Sequence, residues 1–181
     1  MSNKLTFRLV VAINDETQEF DLGTAEIQSV VEALPGNEPS FAGLFAAASS
    51  HPAATVRLSA AMKECLPADS AMELASDPCA SVRCRVVSNA FFQRFAMDPL
   101  VLRMIASDPE VAAEIAANLS ALQIANADVV GESILSHPDP SVRIKLAEGS
   151  NTPISLLNQL RHDSVREVAH AAHIALRSRF R

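Results

Sequence analysis

The feature that most constrains this chain is a motif that recurs along it. His51-Pro-Ala-Ala-Thr-Val56-Arg57 is followed by Asp77-Pro-Cys-Ala-Ser-Val82-Arg83 and by a shortened Asp108-Pro-Glu-Val111-Ala112. His137-Pro-Asp-Pro-Ser-Val142-Arg143 comes next, then His162-Asp-Ser-Val165-Arg166. The valines stand 26, 29, 31 and 23 residues apart. Self-similarity at this period marks a solenoid, in which each repeat buries its apolar face only against its neighbours. Each repeat reads as helix A, a polar break and a shorter helix B. The breaks are Asn89, Asn118 or Asn126, and Asn151-Thr152-Pro153. The second helices are Met72–Ala75, Leu100–Ile105, Val129–Leu135 and Ile154–Leu160.

The motif's residues have physical reasons. Asp, Ser or Thr before the valine can satisfy the free amides at the start of helix A. Proline is tolerated in a first turn because its missing N–H would be unbonded there. Valine is expected in the core. The arginine after it, at one place in four repeats, is expected to form a ladder that bonds an aspartate or a helix-end carbonyl of the next repeat.

Upstream of the repeats the period changes. Leu5, Phe7, Leu9, Val11 and Ile13 alternate, which is the period of a strand. Asn14-Asp15-Glu16-Thr17 supplies a turn, and Phe20 and Leu22 share one face of a returning strand. An isolated hairpin is marginal in water, so this one is expected to pack on the first helices or to pair with another copy. The domain reading is a hairpin over 1–23, capping helices over 24–50 and helical repeats over 51–181, together one compact domain. A helix from Thr24 ends before Pro35-Gly36, and another occupies 40–50.

The run from Ser141 through Val-Arg-Ile-Lys-Leu-Ala-Glu-Gly-Ser-Asn-Thr-Pro to Val165-Arg166 resembles the leucine-rich repeat variant family. Through Pro-x-x-Val-Arg the chain is also similar to HEAT repeats. The resemblance covers residues 51–178 and is closest over 141–178. It implies a right-handed stack of short helices with a curved surface. With the hairpin read from its alternation, the expected fold class is mostly α, an α-solenoid with an N-terminal β-hairpin. Such families mostly bind proteins and sometimes nucleic acids, so the resemblance speaks to fold more than to function.

Composition narrows the function. The 181 residues carry a net charge of −6, aromatics make up 4%, and Trp and Tyr are absent. Phosphate backbones repel such a chain on average, and base-stacking platforms lack their rings. The charge is uneven. Residues 1–50 hold Lys4 and Arg8 against seven acids, whereas 161–181 hold five arginines against Asp163 and Glu167. No stretch approaches the roughly 18 apolar residues of a membrane span. Three cysteines without a secretory leader suit a reducing compartment, and the chain is expected to be cytoplasmic.

Each candidate for chemistry has a structural explanation beside it. Cys65, Cys79 and Cys84 read as buried small thiols, and three cysteines cannot complete a four-thiolate cluster. Glu167, His170 and His173 follow one another at spacing three, a weak metal candidate against a reading as solvated histidines. His51 and His137 stand where other repeats have aspartate, which points to a cap rather than to catalysis. Phe91, Phe92 and Phe95 read as core. Glycine-rich phosphate loops and nucleophile elbows are missing from the sequence. Catalytic residues and cofactors are therefore expected to be none. Arg57, Arg83, Arg143 and Arg166 remain, either as a structural ladder or as a stripe that clamps carboxylates or phosphates. The expected function is a non-enzymatic protein–protein interaction scaffold, with a nucleic-acid-binding HEAT-like protein as the alternative. A homodimer through the hairpin edge is a further expectation.

Overall fold

A computed structural model of the chain describes residues 6–13, 16–89, 104, 108–119 and 124–179. Among these the chain is mostly helical, with ten α-helices and one two-stranded antiparallel sheet. It divides into two compact units, Met1–Leu74 and Ala75–Arg181.

The first unit opens with strands β1 (Arg8–Ile13) and β2 (Glu16–Asp21). Ile13 pairs with Glu16, so Glu16 and Thr17 belong to the second strand rather than to the turn expected from their polarity. Leu9 lies opposite Phe20, which puts Phe7, Leu9, Val11 and Phe20 on one face, with Val10 and Ala12 on the other. Phe7 on that face meets the ring of His51 edge-on at 6.1 Å. Four helices follow: α1 (Thr24–Ala33), α2 (Ala42–Ser49, after a 3-10 turn at Pro39–Phe41), α3 (Ala54–Ala61) and α4 (Ala68–Leu74). Helix α3 packs on both α1 and α2, and α4 packs on α2. The core is Ile27, Val31, Phe45, Val56, Ala60 and Leu74.

The second unit contains α5 (Ala80–Val87), α6 (Pro109–Ala117), α7 (Ile124–Leu135), α8 (Pro140–Glu148), α9 (Ile154–Leu160) and α10 (Arg166–Arg179). Two rows result. Helix α5 packs on α6, α6 on α8 and α8 on α10, while α7 packs on α9. The α7–α9 approach is close because residue 131 is glycine: a Cβ there would lie 2.5 Å from Leu156 Cδ1. Val82, Val111, Val142 and Val168 are buried on the first row, with Ile134, Leu157 and Leu160 on the second. The helix expected at 100–105 and the phenylalanines at 91, 92 and 95 lie outside the described residues, except Met104, which is helical and buried.

Candidate functional site

Each repeat begins with one side chain that holds the turn into its first helix. The amide two residues on donates to it in all five cases: Ala53 to His51 Nδ1 (3.1 Å), Cys79 to Asp77 Oδ1 (2.8 Å), Glu110 to Asp108 Oδ1 (2.9 Å), Asp139 to His137 Nδ1 (3.1 Å) and Val165 to Asp163 Oδ1 (2.8 Å). Histidine thus replaces aspartate by offering a ring nitrogen as acceptor, which puts the ring proton on Nε2. This is the structural role expected for His51 and His137. The Ser and Thr residues before the valines do not cap: α3 and α5 have no side-chain bond at their N-caps.

These turns also fix the register of the repeat. In three repeats the buried valine stands five residues after the turn residue and the arginine six after it. Counted from Asp163, those places fall to Val168, which is fully buried, and to Ala169. Val165 and Arg166 therefore do not correspond to the earlier Val-Arg pairs, and Arg166 is exposed on the first turn of α10. The last interval becomes 26 residues, equal to the first.

The other three arginines act alike. Arg57 Nη1 donates to the His51 carbonyl (2.9 Å) and the Pro52 carbonyl (2.8 Å). Arg83 Nη1 donates to the Asp77 carbonyl (2.6 Å), and Arg143 Nη1 donates to the carbonyl of His137. Each arginine thus bonds the carbonyl six residues back, tying the helix to the turn before it. In the second unit the guanidinium also reaches the turn residue of the next repeat. Arg83 Nη2 bonds Asp108 Oδ2, and Arg143 grips Asp163 with two bonds (2.7 and 3.0 Å). The side chains of Arg143 and Asp163 are each only 10% exposed. The Arg143 bond holds the Asp163 carboxyl below the usual carboxylate range, against its burial. Burial pushes the Asp108 carboxyl up, but Arg83 and the amides of Glu110 and Val111 together bring it below that range. Arg83 and Arg143 therefore belong to the ladder rather than to an open clamp.

A second set of cations was not legible in the sequence. Lys63, buried behind the end of α3, donates to the carbonyls of Glu32 (3.1 Å) and Leu34 (2.7 Å) at the end of α1, with its ammonium 5.4 Å from the Phe45 ring centroid. Arg179, at the end of α10, bonds the carbonyls of Gly149, Ser150 and Thr152 just after α8. Both satisfy carbonyls at the end of an earlier helix in their own unit. Burial lowers the pKa of Lys63, partly offset by Glu32. Beside it Ser59 Oγ lies 2.9 Å from Glu32 Oε1. That pair has the look of a nucleophile and base, but bonds from Gln28 and Ser59 hold the Glu32 carboxyl below its usual range. A carboxylate made less basic is a poor acceptor for a hydroxyl proton.

The cysteines are half-buried and free rather than fully buried. Burial, with Glu114, Asp108 and Glu110 nearby, pushes the Cys84 thiol up, so it is a poor nucleophile. Among the described residues no three His, Cys, Asp or Glu side chains come together to hold a metal ion. Glu167 and His170 line one groove, whereas His173 does not line it.

That groove is the best candidate site. It lies between α8 and α10 and encloses about 670 Å³. Its apolar lining comes from Ile144, Ala147, Ala171, Ile174 and Ala175, and the carboxylates of Glu148 and Glu167 line it as well. Ile174 is 55% exposed. The alanines at 171 and 175 are one turn apart on α10 and leave space that larger residues would fill.

No family model, curated protein or solved structure matches this chain. Among the described residues no helix is long and apolar enough to cross a membrane.

Proposed function

We propose that this chain is a non-enzymatic interaction scaffold, an α-solenoid of the leucine-rich repeat variant or HEAT-like kind, which docks another protein in the groove between α8 and α10. The groove carries the reading. Its lining is more apolar than polar, with alanines and isoleucines contributing, and one of these, Ile174, stands half-exposed, as at the centre of a protein interface. The two helix rows of the second unit and the five equivalent turns support the solenoid, whose right-handed course follows from the family resemblance. Free thiols accord with a reducing cytoplasmic setting. The hairpin is proposed as a contact between two copies.

The nucleic-acid alternative is weaker. Phosphate clamping needs free guanidinium donors, and those of Arg83 and Arg143 are engaged by carboxylates and carbonyls. The test is a photo-crosslinking amino acid placed at Ile174, compared with one at exposed Ser155 on α9. A protein adduct formed at 174, absent at 155 and lost when Ala171→Arg fills the groove, is the expected result. Equal labelling at both positions contradicts the docking site.

A further inference from the structure

The hairpin has an edge whose chemistry selects its own partner. Leu22 donates its amide to the Phe7 carbonyl (2.9 Å), and Phe7 stands opposite Leu22 in the β1–β2 register. In an antiparallel ladder the hydrogen-bonded pairs recur at every second residue. Residues 7, 9, 11 and 13 of β1 therefore bond inward to β2. Arg8, Val10 and Ala12 direct their N–H and C=O groups outward, as Thr17, Glu19 and Asp21 do on β2. Among the described residues neither outer edge has a third strand. Leu9, Val10 and Phe20 are about half exposed, at 50%, 55% and 48%. A two-stranded sheet with that much apolar surface in water is marginal alone, and becomes stable with three or more strands.

We propose that two copies of this chain join through β1 in an antiparallel, two-fold register centred on Val10, giving a continuous four-stranded sheet. This rests on the homodimer reading above and specifies its edge and register. In this register Val10 faces the partner's Val10, and Arg8 faces the partner's Ala12. Every outward N–H and C=O of residues 8, 10 and 12 then meets a complementary group. A shift by one residue would set outward groups against inward ones and lose the ladder. On the apolar face Leu9 lies beside the partner's Val11, extending the surface that already holds Phe20.

Charge decides which edge is used. Strand β1 carries one cation, Arg8, which is already bonded to Glu19 (2.9 Å) and Asp21 (2.7 Å) of its own hairpin. Strand β2 carries Glu16, Glu19 and Asp21, and its two-fold pairing over the same length would place Glu19 against Glu19. Like charges directly opposite in a ladder are destabilising, whereas the β1 pairing sets no charge against its like.

Proline substitution tests the edge without touching the hairpin's own ladder. Val10→Pro removes an outward N–H, and Thr17→Pro removes the equivalent one from β2. Analytical ultracentrifugation of the full chain is expected to show a dimer for wild type. Its dissociation constant should rise at least about tenfold in Val10→Pro, because two intermolecular hydrogen bonds are lost, and stay unchanged in Thr17→Pro. With the native cysteines replaced by serine, Val10→Cys should crosslink to itself under mild oxidation while Gln18→Cys does not. A dimer dissociated by Thr17→Pro but not by Val10→Pro overturns the β1 register and leaves the dimer standing. A dimer indifferent to both prolines overturns any role for the hairpin edges, and a wild-type monomer overturns the dimer itself.

Discussion

His137 shows how one repeat position tolerates two unlike residues. What the backbone needs there is an acceptor two residues before the first free amide, and imidazole nitrogen or carboxylate oxygen supplies it. His137→Asp is therefore expected to leave stability within about 0.5 kcal/mol, whereas His137→Ala should lower it by about 1 kcal/mol, the usual cost of a lost cap. Urea unfolding of the two variants checks this, and equal losses would contradict it. The same turn residues carry an acid dependence. The folded-state pKa of Asp163 lies below its unfolded value near 4, so the Arg143 bond contributes stability above that value and loses it as pH falls through the folded pKa. The stability gap between wild type and Asp163→Asn should close progressively below about pH 4. A gap that does not narrow at all as the pH falls below about 4 would contradict the assignment.

At the scale of elements, the sequence reveals what lies within a repeat and hides what runs between repeats. The span of α9, Ile154–Leu160, follows directly from Leu156, Leu157 and Leu160 after a proline. The hairpin follows from its alternation, although β2 begins two residues earlier than turn chemistry suggests, because Glu16 and Thr17 can pair as readily as turn. The fifth repeat was displaced for a physical reason. The Val165-Arg166 dipeptide imitates the motif, but the turn is set by the Asp163 side chain, and Ala169 stands where an arginine would have marked the register. Lys63 and Arg179 gave no sequence signal, since their partners are backbone carbonyls about thirty residues away. The groove is half legible: the spacing of Glu167 and His170 marks two of its lining residues, but nothing in the sequence distinguishes the alanines at 147, 171 and 175 from those elsewhere in the helices.

Across the whole molecule, two of the arginines that looked most like a binding stripe, Arg83 and Arg143, tie one repeat to the next, and the surfaces proposed for partners are the α8–α10 groove and the hairpin. This division of labour is the central claim, and Arg143 and Arg166 separate it cleanly. Both follow a valine in the sequence, but only Arg143 is buried against a carboxylate. Removing one partner of a buried pair leaves the other charge uncompensated, at a cost of about 3 kcal/mol or more. An exposed arginine without such a partner changes stability by no more than about 0.5 kcal/mol. The decisive measurement is the urea unfolding free energy of Arg143→Ala, Asp163→Ala, the double variant and Arg166→Ala. The account predicts a loss of about 3 kcal/mol for Arg143→Ala, a double variant well short of additive, and Arg166→Ala close to wild type. Equal small losses for both arginines, with additive effects at Asp163, would contradict it.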